Sequence, residues 1–175
     1  DPPPNNRALF PADGEGRNAV WAARIGWNSE VFDLSVVGKQ KCHLLAQEHA
    51  VTVDYEVDDL ALRAFPQQSY DLIACSWFHT PSEIRKINMP RMLHSLKSGG
   101  HFVMEGYHTS QMPVYSGGPK SLDLLFDLDE VLGEVVGEKA PKMNIIHTAI
   151  TSTVLDESAL HKGQARVVRI HLQRD

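Results

Sequence analysis

The chain has 175 residues, 42% of them hydrophobic, and its 17 lysines and arginines against 22 aspartates and glutamates give a net charge of -5. This acidic balance, without any run of basic residues, argues against nucleic acid as a partner. No apolar stretch approaches the roughly 20 residues that a membrane-spanning helix needs. We therefore expect one cytoplasmic domain over residues 1–175 that binds neither nucleic acid nor membrane, with its oligomeric state left open.

The amino terminus and the cysteines give little information about function. Residues 1–6 are rich in proline and unlike a signal peptide, and the chain has no initiator Met, which leaves open that the natural protein begins earlier. Cys42 and Cys75 lie far apart without a partner motif, so neither a disulfide framework nor a cysteine zinc site is indicated. We expect two reduced, partly buried thiols.

Short β-branched runs alternate with longer helical patterns, which is typical of β-α-β units around a parallel sheet. A helix start at Pro81 and a stop before Ser98-Gly99-Gly100 fit this alternation. In chain order we predict a strand at Arg7–Phe10, a helix at Gly16–Ile25, a strand at Glu30–Leu34, a helix at Val36–His49, strands at Val51–Val57 and Tyr70–Ser76, a helix at Pro81–Leu96, a strand at His101–Tyr107 and a helix at Leu122–Val136.

Two extended stretches close the chain. They are Asn144–Leu155 and Ala165–Leu172, separated by a polar loop. Two such runs joined by a short polar segment favour an antiparallel hairpin, which we place at the edge of the sheet. The sequence therefore predicts one α/β domain.

A glycine loop follows the first predicted strand and opens the first predicted helix. Asp13 precedes Gly14 and Gly16, and Asn18 and Ala19 follow them. Glycines at this place let the backbone turn sharply and approach a ligand, while the helix amino terminus offers unpaired N–H groups. The alternative is a glycine turn that serves only the chain geometry.

Two acidic sites stand at the ends of the next two strands. Asp33 ends the second strand, where a carboxylate can accept from both hydroxyls of a ribose, although it could instead cap the next helix within Asp33-Leu34-Ser35. Asp58-Asp59-Leu60 follows the third strand, where Asp59 could accept from an adenine amine while Leu60 packs on the ring. A solvated turn is the alternative there.

The sequence resembles the class I S-adenosylmethionine-dependent methyltransferases, and within them the tellurite-resistance-type small-molecule enzymes. The resemblance implies a Rossmann-like, three-layer α/β sandwich with a mostly parallel seven-stranded sheet and an antiparallel C-terminal strand. The segments that carry it are Gly14–Ala19, Asp33-Leu34-Ser35, Asp59-Leu60, Leu96–Gly100, Gly117–Lys120 and His161–Ala165.

The resemblance also implies S-adenosylmethionine as the cofactor. Gly14, Gly16 and Asn18 would surround its methionyl part, and Asp13, or a segment before residue 1, would substitute for an acid that the family has in the first strand. Asp33 and Leu34 would lie at the ribose, and Asp59 and Leu60 at the adenine. Trp77, Phe78 and His79 would lie beside the sulfonium, although the aromatic residues could equally be core and His79 could cap the following helix.

The expected reaction is methyl transfer to a small acceptor, such as a thiol or chalcogen anion, by in-line displacement. The expected catalytic residues are His79, Glu105 and Tyr107, in an acceptor pocket with His108 and the loop Gly117–Lys120. Glu105 could instead bind a backbone amide, and Lys120 could be a solvated charge. No metal is expected.

Two departures from the family pattern keep other functions open. Phe10 stands where the family has the strand acid, and Ala12 where it has a further glycine. A catalytically silent S-adenosylmethionine-binding domain is therefore one alternative. An NAD-dependent oxidoreductase is the other, because Gly14-x-Gly16-x-x-Ala19 also fits the dinucleotide fingerprint.

Overall fold

The computed structural model describes residues 2, 5–112, 117–158 and 161–175. Along these parts of the chain, no helix has the length and apolar content that crossing a bilayer requires. The elements in chain order are β1 Arg7–Pro11, α1 Arg17–Arg24, β2 Asn28–Asp33, α2 Val36–Glu48, β3 Val53–Val57, β4 Tyr70–Ser76, α3 Ser82–Leu93, β5 Leu96–Tyr107, α4 Leu128–Val135, β6 Met143–Ser158 and β7 His161–Arg174, with 3-10 turns at Thr109–Gln111 and Leu122–Leu124.

The strands form one seven-stranded sheet in the order β3-β2-β1-β4-β5-β7-β6. Strands β1 to β5 pair in parallel, and β7 runs antiparallel to both β5 and β6. The mostly parallel sheet and its antiparallel C-terminal strand confirm the predicted fold class. The strand order reverses between β1 and β4, and in open α/β sheets ligands bind at the carboxyl ends of the strands beside such a reversal.

Apolar side chains fill both faces of the sheet, which gives the molecule three layers. On β1, Ala8 and Phe10 pack toward α1 and α2, while Leu9 packs into the cluster on the other face. That second cluster includes Met89 of α3 and Val131 of α4. A central parallel strand covered on both sides needs a continuous apolar run, and Ala8-Leu9-Phe10 supplies one.

The helix predicted at Leu122–Val136 is wrong in its first half. Leu122–Leu124 forms a 3-10 turn, and α4 begins only at Leu128. Asp127 is the reason, because its side chain accepts hydrogen bonds from the N–H groups of Asp129 and Glu130 and so caps α4. Phe126 just before it forms a β-bridge with His108 and is held extended.

The boundary between α3 and β5 also differs from the prediction. The predicted helix to Leu96 ends at Leu93, and β5 begins at Leu96 instead of His101. Leu96 pairs with Tyr70 of β4, and the N–H of Tyr70 donates to the Ser95 carbonyl, so pairing with β4 draws this segment into the sheet. The register between the two strands shifts after Tyr70, where the Gly-Gly pair lies.

Candidate active site

The glycine loop between β1 and α1 is packed tightly against α2. Gly14 and Gly16 both have left-handed backbones, with φ of 57° and 76°. A Cβ on Gly16 would lie 2.1 Å from the Sγ of Cys42 in α2. The Tyr55 hydroxyl on β3 donates to the Gly14 carbonyl over 2.8 Å. Chain geometry therefore requires glycine at position 16, whatever ligand the loop binds.

The Asp13 side chain accepts hydrogen bonds from the first turn of α1. Its Oδ1 accepts from the Asn18 side-chain amide over 2.6 Å, and its Oδ2 accepts from the Ala19 N–H over 2.9 Å. Burial raises the pKa of the Asp13 carboxyl, and these hydrogen bonds oppose the rise only in part. Asp13 and Asn18, both expected at the methionyl group, thus contact each other.

Asp33 joins two elements at the carboxyl end of β2. Its Oδ2 accepts from the N–H of Gly14 over 3.0 Å, and its Oδ1 accepts from the N–H of Ser35 over 2.8 Å. Ser35 itself is the cap of α2, because its hydroxyl accepts from the Gly38 N–H. Each carboxylate oxygen has two lone pairs, so these bonds leave Asp33 able to accept further hydrogen bonds.

A first cavity of about 290 Å³ opens at the carboxyl ends of β1 to β4. It brings together five of the residues predicted at the site: Asp33, Leu34, Asp59, Leu60 and His79. Phe78 was also expected at the site, and Ala12 and Asp58 lie in segments that the sequence singled out, whereas sequence reasoning missed Phe32, Thr80, Pro81 and Ile84, which follow no motif. The remaining lining residues are Ala12, Phe32, Asp58, Phe78, Thr80, Pro81 and Ile84.

Ala12, which stands where the family pattern has a glycine, lines the first cavity. It has a left-handed backbone with φ of 51°, and its N–H donates to the Phe32 carbonyl over 2.8 Å. Only glycine takes this conformation without steric cost. The loop therefore keeps a glycine-like shape with an alanine in it.

Of the two acids after β3, Asp58 is held by a buried arginine that sequence reasoning missed. Asp59 Oδ1 accepts from the Ala61 N–H over 2.8 Å, so the residue shapes the expected turn. Arg63 has a side chain only 6% exposed and contacts Asp58 at 3.1 Å, Glu30 at 2.5 Å and Glu56. Arg63 thereby holds Asp58, which lines the first cavity, in place.

A second cavity of about 250 Å³ lies beside the first, at the ends of β4 and β5 and the start of α1. It is lined by Arg17, Asn18, Ser76, Trp77 and Glu105, three of which were predicted at the site. Glu105 does not bind a backbone amide through its side chain as the alternative had it. Its carboxylate pairs with Arg169 of β7 at 2.5 Å.

Trp77 lines the second cavity, directly before Phe78 and His79 of the first, and its backbone is strained. Its φ is 55°, and its N–H donates to the Glu105 carbonyl over 2.9 Å. Its ring lies 4.6 Å from the ring of Tyr107, centroid to centroid. A left-handed backbone at a residue of this size persists only where the surroundings hold it, and such strain collects at functional sites.

His79 does not cap the helix that follows it, because the N-cap residue of α3 is Pro81 and no side chain caps the helix. Its ring stacks between Tyr107 at 5.5 Å and Phe126 at 5.1 Å. Its Nδ1 lies 2.7 Å from the Leu124 carbonyl. Because a carbonyl oxygen only accepts, the proton is on Nδ1 in this geometry.

Tyr107 and His108 lie outside both cavities. Tyr107 is 1% exposed, behind Trp77 and His79, and a Cβ on Gly118 would lie 2.5 Å from its ring. His108 accepts from the Ser110 N–H, and burial lowers its pKa. Lys120 is exposed, as its solvated alternative has it, and residues 113–116 next to this loop lie outside the described residues.

The two cysteines are free thiols, as expected, and both are fully buried. Burial raises the pKa of Cys42 to about 11 and also raises the pKa of Cys75. A raised pKa disfavours the thiolate, which is the nucleophilic form of cysteine, and neither thiol lines the first or the second cavity.

The strand order, the reversal between β1 and β4 and the cavity beside it define the fold that S-adenosylmethionine-dependent methyltransferases share. The sequence matches no protein-family model and no curated protein. Solved structures do share the fold: TehB from Haemophilus influenzae has a TM-score of 0.76 at 14% identity, over 97% of this chain and 57% of that chain.

Two further structures agree with this result. A SAM-dependent methyltransferase from Methanosarcina mazei has a TM-score of 0.74 at 12% identity, over 97% of this chain and 92% of that one. One from Mesorhizobium loti has a TM-score of 0.68 at 18% identity, over 98% and 93%. At such identities the likeness shows the fold alone, and it confirms at that level the resemblance found in the sequence.

Proposed function

We propose that this chain is an S-adenosylmethionine-dependent methyltransferase that acts on a small-molecule acceptor. The observation that carries the proposal is the pair of cavities at the carboxyl ends of the strands, where Trp77 lines the second and the residues after it, Phe78 and His79, line the first. The first is also lined by the acids Asp33, Asp58 and Asp59, and the second by polar side chains from the start of α1 and the ends of β4 and β5. The shared fold of known methyltransferases supports the same function.

The first cavity would hold the adenosine. Asp33 would accept from the ribose hydroxyls, and Asp59 from the exocyclic amine of adenine. Leu60 is 8% exposed, and with Ile84 and Phe78 it offers apolar surface for the ring. Small-molecule sites of about this size combine apolar walls with a few placed acceptors, which is the composition found here.

The second cavity would hold the methionyl end and admit the acceptor. Arg17 stands at the first position of α1, so its guanidinium and the helix dipole both favour a carboxylate. The face of Trp77 can stabilise a sulfonium by a cation–π contact. Glu105 lines the same cavity, where it is paired with Arg169, and it would orient an acceptor.

The cofactor supplies an activated methyl group on a good leaving group. The protein then has to hold donor and acceptor in line, which alone can contribute several kcal/mol, roughly 7–11 in well-aligned systems. A thiolate or reduced chalcogen anion needs little help from a base, so we propose acceptors of this kind. His79 is held in an aromatic stack, and Tyr107 lies behind the cavity wall, so we assign both to positioning Trp77 and not to proton transfer.

A silent binding domain is the second candidate, and one observation favours it. Asp13 was expected to replace the missing strand acid, but both of its oxygens face α1. Phe10, at the position of that acid, is 4% exposed. A weak methionyl end would bind the nucleoside without placing the methyl group for transfer.

The test is calorimetric titration of the chain with S-adenosylmethionine, S-adenosylhomocysteine and NADH. Asp33→Asn removes the ribose carboxylate at constant size, and Asp54→Asn on the exposed part of β3 is the matched control. We expect binding of both sulfur ligands, at least tenfold weaker in Asp33→Asn and unchanged in Asp54→Asn. No binding by the wild type, or a preference for NADH, would overturn the proposal.

Turnover separates the enzyme from the silent domain. The chain is incubated with methyl-labelled S-adenosylmethionine and a panel of thiols, selenide and tellurite, and label transfer is counted. Transfer to any member supports the methyltransferase, whereas ligand binding without transfer across the panel supports the silent domain.

The single-domain organisation and the cytoplasmic location remain predictions from the sequence.

A further inference from the structure

Three histidines that are far apart in the chain meet on one face of the sheet, and none of them lines either active-site cavity. His101 lies on β5, His171 on β7 and His147 on β6. Val103 is paired with His171, and His171 with His147, so His101 and His171 are diagonal neighbours and His147 is directly opposite His171. Residues opposite one another, and diagonal neighbours two positions on, share a face of the sheet.

Two of these imidazoles are in direct contact. The Nδ1 of His101 lies 2.9 Å from the Nε2 of His171, and the ring centroids are 5.1 Å apart. One ring donates its proton to the other, so at least one of the facing nitrogens carries a lone pair. Both rings are half-buried, and His171, together with His147, lines a cavity of about 280 Å³.

The two charged side chains that line this cavity, Glu105 and Arg169, pair with one another at 2.5 Å. Neutral imidazole is the form of histidine that binds metals.

We propose that His101 and His171 form a binding site for a divalent transition-metal ion, with Cu²⁺ preferred over Ni²⁺ and Zn²⁺. For both nitrogens to bind the ion, the ring that now donates must carry its proton on its other nitrogen, exchanged through water, so that two lone pairs face the metal. The sequence predicted no metal, because the ligands are 70 residues apart and follow no spacing motif.

The distance between the nitrogens gives the preference. With metal–nitrogen bonds of about 2.0–2.1 Å, a separation of 2.9 Å subtends an angle of about 90° at the metal. That angle suits neighbouring corners of a square-planar or octahedral ion, whereas tetrahedral zinc would need the nitrogens further apart. Copper also stands highest in the affinity order of the divalent first-row ions.

The site takes two protein ligands. Among the described residues no group of three or more His, Cys, Asp and Glu side chains is arranged to hold a metal ion. Water would complete the coordination of the ion. A metal there would tie β7 to β5 and so stabilise the C-terminal hairpin on the sheet.

The test is titration of the tag-free chain with CuCl₂ at pH 7.5, followed by calorimetry and by electron paramagnetic resonance. We expect one tight equivalent with nitrogen superhyperfine splitting. His101→Gln and His171→Gln should each weaken it at least tenfold, while His49→Gln, an exposed histidine at the end of α2, should change it less than twofold. Ni²⁺ and Zn²⁺ should bind more weakly.

Unchanged Cu²⁺ affinity in both glutamine variants, or an equal loss in His49→Gln, would overturn the site. Circular dichroism of the metal-free variants checks the fold, and if one variant fails to fold, the other still removes one of the two ligands. The outcome is independent of the proposed enzyme function, because neither histidine lines the two active-site cavities.

Discussion

The Asp33 carboxylate accepts a hydrogen bond from the main-chain N–H of Gly14 over 3.0 Å, so the acid expected to hold a ribose also holds the glycine loop in place. A second bond from the Ser35 N–H ties the same carboxylate to the start of α2. Ligand binding and local stability therefore depend on one side chain.

Asp33→Ala should lower the free energy of unfolding by about 2–4 kcal/mol, because hydrogen bonds to a charged group contribute about 1.5–3 kcal/mol each. Ser35→Ala, which removes only the cap of α2, should cost about 1 kcal/mol. Urea denaturation followed by circular dichroism measures both. Equal losses in the two variants would contradict the double role of Asp33.

Ala12→Gly should stabilise the protein. Glycine would relieve the roughly 1–2 kcal/mol that a left-handed alanine costs. The greater freedom of glycine in the unfolded chain offsets part of that gain. We expect a net gain of up to about 1 kcal/mol in urea unfolding. Ala50→Gly, at φ of 54° after α2, should gain similarly, whereas Ala46→Gly inside α2 should destabilise.

The two loop glycines should differ in their tolerance of a methyl group. Gly14→Ala meets no atom within 4 Å and should cost only the strain of a positive φ, about 1–2 kcal/mol. Gly16→Ala carries the same strain and also brings a Cβ against Cys42, so its thermal midpoint should fall further. A smaller effect at Gly16 than at Gly14 would contradict the packing described here.

Arg63→Ala should destabilise the fold by less than the about 3–5 kcal/mol expected for a fully buried pair, because Glu30 keeps its pair with Arg7 and the side chains of Asp58 and Glu56 are 33% and 59% exposed. It should also weaken S-adenosylhomocysteine binding, since Asp58 loses its anchor at the first cavity. Lys86→Ala, which breaks an exposed pair with Glu130, should cost less than about 1 kcal/mol. Urea unfolding and calorimetry check the two effects separately.

Asp13→Asn should change how stability depends on pH. The pKa of Asp13 in the folded state is raised by burial above the usual 3.8. The folded state therefore binds this proton more tightly than the unfolded state, and that stabilisation is lost as the pH rises from 3.8 through the raised pKa. The free energy of unfolding of the variant minus that of wild type should therefore be larger at pH 7 than at pH 4. A difference that does not change with pH would refute this.

Much of the fold could be predicted because its signals are local. Ala8-Leu9-Phe10 is a continuous apolar run, and the glycines after it mark a turn into a helix, so neither inference needs a distant residue. The helix predicted from Leu122 failed because Asp127 caps α4 while Phe126 bridges to His108, and that bridge forms only in the folded chain.

The site was foreseen less completely than the fold. Parallel strands carry their carboxyl ends to one edge, so Asp33 and Asp59 were expected to meet, and both line the first cavity. Tyr107 follows the same rule along β5, yet its ring lies behind Trp77. The direction of a side chain at a strand end depends on its neighbours, which the sequence order does not reveal.

The sequence by itself determined the α/β class, the element order, the glycine loop and the strand-end acids, because each follows from periodicity or from turn chemistry within a few residues. Only the tertiary structure decided that Arg63 neutralises Glu30, that Glu105 pairs with Arg169 and that His101 meets His171. Those contacts depend on the register of strands and on packing between residues distant in the chain, where local patterns carry no information.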